Sequence, residues 1–107
     1  MHVDRTGQTA VIFTSFRSGA DADGYESAAA AMDALAMVQP GYRGVESTRG
    51  ADGMGITISY WSDDTAAIAW RDHPDHSAIR ERGRAIWYDR YSVTVAHVTR
   101  GYGWTRP

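Results

Sequence analysis

Trp70, His73 and His76 stand three residues apart, and they are the side chains best suited to moving a proton beside an apolar surface. An imidazole titrates near neutrality, at about 6.5, so His76 can serve as a base, and His73 can orient it. A helix N-terminus just before His76 would disfavour the imidazolium and keep the ring neutral. Two histidines at this spacing can also share a metal on one helical turn, but Pro74 lies between them and no third ligand is evident. The bland alternative makes His73 a helix corner and His76 a solvated or capping residue. Around this group, Arg71, Arg80 and Tyr88 are able to hold an oxyanion. Trp61, Trp70, Trp87 and Tyr88 can wall an aromatic pocket, with Tyr25 and Met32 as its opposite side, although the same residues also suit an ordinary core. Arg80, Arg82, Arg84 and Arg90, interspersed with Glu81 and Asp89, read most simply as a solvated helix face.

The elements that must position these groups follow from periodicity. Ile56, Ile58 and Tyr60 alternate with Thr57, Ser59 and Trp61 as a strand, and Ser62 then supplies an N-cap with Asp63 and Asp64 behind it. The helix that follows breaks at His73, because Pro74 pushes its predecessor out of the α region, and restarts with Pro74 in its first turn. Earlier, Thr9–Phe16 is a strong strand, Arg17–Gly24 is dense in turn residues, and Asp21 or Asp23 can cap a helix running from Tyr25 to Val38. Pro40-Gly41 ends that helix, Tyr42–Arg49 is a weaker strand, and Asp52-Gly53 makes a hairpin turn. Tyr91–Arg100 is the fourth strand. The order β-α-β-β-α-β predicts a ferredoxin-like α+β fold, with a four-stranded antiparallel sheet carrying its helices on one face. The other face is apolar enough to need covering, so a homodimer is expected.

At 107 residues the chain is expected to be a single domain, with 1–8 as a loose lead-in and 101–107 as a tail. A net charge of −2 argues against a nucleic-acid partner. The absence of cysteine excludes a thiolate nucleophile or a zinc–cysteine site. The N-terminus lacks the apolar segment of a signal peptide and nothing suggests a membrane span, so a cytoplasmic protein with no membrane partner is expected. The tail residues Tyr102 and Trp104 are expected to dock on the partner subunit.

Pro40-Gly41-Tyr42, Gly44, Glu46, Ser47, Tyr60-Trp61-Ser62 and Trp70, spaced along this strand and helix order, resemble the antibiotic biosynthesis monooxygenase (ABM) domain family over roughly Thr9 to Arg100. The resemblance implies a dimeric α+β barrel and, as in some members, oxidation of a small aromatic or phenolic molecule by dioxygen without metal or flavin, so that no cofactor is expected. A non-enzymatic dimeric binding or stress-associated module of the same fold is the alternative. Other members degrade haem, using an Asn on the first strand, a Trp on the second helix and a His beyond it. Trp70 matches that Trp, but the chain contains no Asn and Arg80 occupies the place of the ligand, so haem chemistry ranks low.

Overall fold

The computed structural model describes residues 2–107. Four strands, β1 (Thr9–Arg17), β2 (Tyr42–Arg49), β3 (Met54–Trp61) and β4 (Tyr88–His97), and three helices, α1 (Ala22–Met37), α2 (Asp64–Arg71) and α3 (Pro74–Arg82), follow one another in the order β1-α1-β2-β3-α2-α3-β4. All neighbouring strands run antiparallel, in the spatial order β2, β3, β1, β4. This is the ferredoxin-like α+β arrangement that the sequence predicts. None of the described helices is long and apolar enough to cross a membrane.

The period of two in β1 decides which residues meet the helices. Val11 packs against Trp61, Ala36 and Ala67 in the core, and Phe13 lies on the same face. Ile12 therefore points the other way, opposite Ile58 of β3 and Thr94 of β4. The best-buried large side chains are Trp61, with no exposed surface, and Trp87, at 2%. Much of the space between sheet and helices is open rather than packed.

Several junctions differ from the sequence expectation. The N-cap of α2 is Asp63 rather than Ser62, with its Oδ1 accepting from Ala66 N at 2.8 Å. Ser62 is instead held at the strand end, its N–H donating to Gly41 O at 2.7 Å. Gly41 is required there: its φ is +84°, and an added Cβ would fall 2.5 Å from Ala66 Cβ. The break before Pro74 occurs as predicted, and α3 begins at Pro74 with His73 as its N-cap.

The fourth strand starts at Tyr88, earlier than the predicted Tyr91, and ends at His97, short of Arg100. Its early start follows from a single π-helical turn, Gly83–Trp87, that widens the end of α3 and delivers Trp87 into the core. Gly83 permits this approach, since a Cβ on it would sit 2.9 Å from Tyr88 Cε2. Trp87 Nε1 then donates to Asp21 Oδ2 at 3.1 Å. Asp21, in the left-handed region at φ 51°, also caps α1 by accepting from Gly24 N. One carboxylate thus joins the start of α1 to the end of the second helical arm.

At the chain ends, Gly7 N donates to Val98 O and Val98 N to Gln8 O, both at 2.9 Å, which ties the lead-in to the strand end. Tyr102 and Trp104 are 90% and 71% exposed.

Candidate active site

A cavity of about 570 Å³ lies between the helix-facing side of the sheet and the three helices. Protein interiors pack with few voids larger than a water molecule, so an opening of this size is a feature of the fold and falls in the range of small-molecule sites. Small residues on the helices make it. Ala28, Ala29 and Ala36 of α1 and Ala67 of α2 line it where larger side chains would fill it, facing Val11 and Phe13 on the floor.

At one part of its wall stand Trp70 and His76. The imidazole lies flat on the indole, with ring centroids 4.5 Å apart and planes 11° from parallel. Behind Trp70, Trp61 stacks in turn at 5.9 Å. His76 Nδ1 is 3.0 Å from the carbonyl oxygen of Trp70. A carbonyl can only accept, so Nδ1 carries the hydrogen and Nε2 of the neutral ring keeps its lone pair. Burial lowers the His76 pKa below its ordinary value, and the nearby positive charge of Arg80 lowers it further, against the opposing effect of the carbonyl contact. A neutral imidazole of fixed tautomer is the form in which histidine acts as a base.

Arg80 lines the cavity beside His76 while donating to Arg71 O at 3.2 Å and Ser77 Oγ at 3.3 Å. A second aromatic group gathers around Phe13. Tyr88 meets it edge-on at 5.5 Å and Tyr91 lies at 5.2 Å, while Tyr25 packs against both Tyr88 and Trp87. Burial, followed by the neighbouring Tyr25 hydroxyl, raises the Tyr88 pKa, so this phenol stays protonated as a donor. Among the described residues no three His, Asp or Glu side chains gather to hold a metal ion.

The residues singled out in the sequence divide into two sets. Trp70, His76, Arg80, Tyr25, Met32, Trp87 and Tyr88 all line the cavity. Trp61 and His73 do not. Trp61 is wholly buried behind Trp70, with its Nε1 donating to Ser59 Oγ at 3.0 Å, and acts as a backing layer. His73 spends its Nδ1 accepting from Asp75 N at 3.1 Å as the cap of α3, so the group that orients His76 is the Trp70 carbonyl and not His73. Sequence reasoning missed Tyr91 as a lining residue, and it read Arg84 only as the exposed, Glu81-paired side chain that it is, without its second place at the cavity edge. For Tyr91 the alternation of β4 carried a signal, since it shares a face with Val93 and Val95; for Arg84 the π turn left none.

The family model for antibiotic biosynthesis monooxygenase matches residues 7–82. The uncharacterized protein YqjZ of Bacillus subtilis (strain 168) is 52% identical over 91 residues, 85% of this chain and 79% of that protein. Among solved structures, a mutant of SnoaB, a cofactor-independent oxygenase from Streptomyces nogalater, superposes with a TM-score of 0.77 at 19% identity, covering 90% of this chain and 97% of that one. A conserved protein from Methanosarcina mazei Go1 gives a TM-score of 0.78 at 5% identity, over 88% and 95% of the two chains. At these identities the structural likeness is one of fold.

Proposed function

The chain belongs to the antibiotic biosynthesis monooxygenase family, and from that premise we propose that it is a cofactor-independent monooxygenase acting with dioxygen on a small aromatic or phenolic molecule. The observation that carries this reading is His76: a neutral imidazole stacked on Trp70 at the wall of an aromatic-lined cavity, its tautomer set by the Trp70 carbonyl. His76 Nε2 takes a proton from an acidic C–H of the bound substrate and leaves an electron-rich anion. That anion passes one electron to dioxygen, the two radicals combine as a peroxide at the same carbon, and loss of water leaves a carbonyl. One oxygen atom ends in the product and the other in water. The protein supplies the base, the apolar walls that exclude water, and phenol and guanidinium donors for the anion.

A binding module would keep the cavity as well, so it is the neutral His76 at its wall that favours the oxygenase over that alternative. The reading also takes the protein as a cytosolic homodimer joined through the sheet face that carries no helices, where Ile12, Ile56 and Ile58 lie together.

The experiment is oxygen uptake with a panel of phenols and aromatic ketones under ¹⁸O₂, in the presence of a chelator. Uptake coupled to a product carrying one labelled oxygen supports the proposal. Tight binding of panel members without oxygen uptake by any of them rejects it in favour of the binding module.

A further inference from the structure

The π turn after α3 is the least regular segment of the second helical arm, and such turns recur at functional sites. It carries Arg84 back toward Tyr91, seven residues on, and Arg84 Nε donates to the Tyr91 hydroxyl oxygen at 2.6 Å. The other side of the guanidinium is steadied by Glu81 Oε1, which accepts from Nη1 at 3.1 Å. Arg84 and Tyr91 both line the cavity that also holds His76. The Tyr91 ring is fixed against Phe13 and Tyr88 at 5.2 and 6.0 Å.

A phenol has one hydrogen to give and lone pairs to accept with. Here the guanidinium occupies the accepting side, and among the described residues the Tyr91 O–H donates to no protein group. A cation bonded to the phenol oxygen draws charge from the O–H and makes it a stronger donor, the charge-assisted case. The cavity therefore holds a prepared hydrogen-bond donor on a rigid ring, built by a turn that departs from the regular helix to make it.

We infer that Tyr91, with Arg84 bonded to its oxygen, is a specificity-determining anchor that donates its O–H to the carbonyl oxygen of an aromatic ketone substrate. When His76 removes a proton from the carbon conjugated with that carbonyl, the negative charge moves onto the same oxygen, and the bond from Tyr91 strengthens as it does so. The inference deepens the oxygenase reading and rests on it for the identity of the reacting carbon.

The test compares two probes of nearly equal shape, 1-tetralone and its hydrocarbon counterpart tetralin, titrated calorimetrically into the full-length protein and two variants. Tyr91→Phe removes the donor and keeps the ring; it should weaken 1-tetralone by about tenfold and leave tetralin within about twofold. Arg84→Met should weaken 1-tetralone by several fold in the same selective way, with the melting temperature of each variant showing that the fold is kept. Failure of the unaltered protein to bind 1-tetralone, equal weakening of both probes, or no change in Tyr91→Phe overturns the anchor. The binding readout uses neither dioxygen nor the base. Selective binding without oxygen uptake would therefore leave the anchor standing and reject the oxygenase, and uptake without selectivity would do the reverse.

Discussion

At the scale of single residues, the two histidines near Pro74 have separate duties that their spacing does not reveal. His76 faces the cavity and His73 closes a helix end, which sets opposite expectations for their removal. Replacing His76 by Ala should lower turnover of an active substrate by about a hundredfold or more, as for loss of a general base, with the fold retained. Replacing His73 by Ala should leave turnover nearly unchanged and reduce stability by about 1 kcal/mol through loss of the cap, measured by urea denaturation. Normal turnover in the His76→Ala protein would remove the catalytic assignment. The lowered pKa of His76 predicts a pH dependence with a definite sign. A base that is neutral below the ordinary value of 6.5 keeps working at mildly acidic pH, so the acid limb of kcat/KM should fall below 6.5. Stability is linked to the same shift. Between the folded and ordinary pKa values the unfolded chain binds the proton more readily than the folded one, so as pH drops through 6.5 the folded state loses ground. The melting temperature of the unaltered protein should decline more steeply below that pH than that of His76→Gln, and parallel declines would contradict the burial of a neutral ring.

At the scale of elements, the second helical arm is shaped by its interruptions. Pro74 turns the chain so that His76 returns to stack on Trp70, and the π turn sets Trp87 into the core and Arg84 against Tyr91. Asp21 links this arm to α1 by two bonds from one carboxylate, to Gly24 N and Trp87 Nε1. Replacing Asp21 by Ala removes an N-cap and leaves a mostly buried indole N–H without its partner, so stability should fall by roughly 2–3 kcal/mol in chemical denaturation. Replacement by Asn keeps one acceptor oxygen for the Gly24 N–H and the tolerance for the left-handed region but puts an amide NH2 in place of the second acceptor, so it should recover the cap and not the bond to Trp87. If the Ala variant is as stable as the unaltered protein, the joint between α1 and the π turn is not holding the fold together.

At the scale of the whole molecule, the helices cover one face of the sheet and the other carries Ile12, Ile56 and Ile58 in adjacent positions across β1 and β3. Exposed tail aromatics add further apolar surface in need of cover. Sedimentation equilibrium at micromolar concentration should give twice the monomer mass of 11.8 kDa. Substituting Ile12 by Asp should shift the equilibrium to monomer, because a charge at the centre of an apolar interface is left without a partner. A stable monomer of the unaltered protein would overturn the dimer while leaving the cavity, which lies on the opposite face, unaffected.

The sequence by itself determined what depends on neighbours along the chain. Alternation set the strands, Pro40-Gly41 ended α1, Pro74 broke the second arm, and the order of elements admitted the observed sheet. The aromatic wall residues Tyr25, Trp70, Trp87 and Tyr88 were legible for the same reason, whereas the alanines of α1 and α2 that leave the space open were not. What only the tertiary structure decided is which of those faces is packed and which is open. Trp61 and Trp70 both read as pocket walls in the sequence, yet one is sealed behind the other because β3 runs through the sheet interior and α2 lies over it. The partner of His76 is a backbone carbonyl, and every residue has one, so no residue type could announce it. Arg84 is exposed and paired with Glu81, as a solvated helix face requires, but a helix continued at regular pitch gives no reason to bring it to Tyr91 as well. The widened turn does so, and that turn is held by the long-range bond of Trp87 to Asp21 and is permitted locally by Gly83, where a side chain would collide with Tyr88.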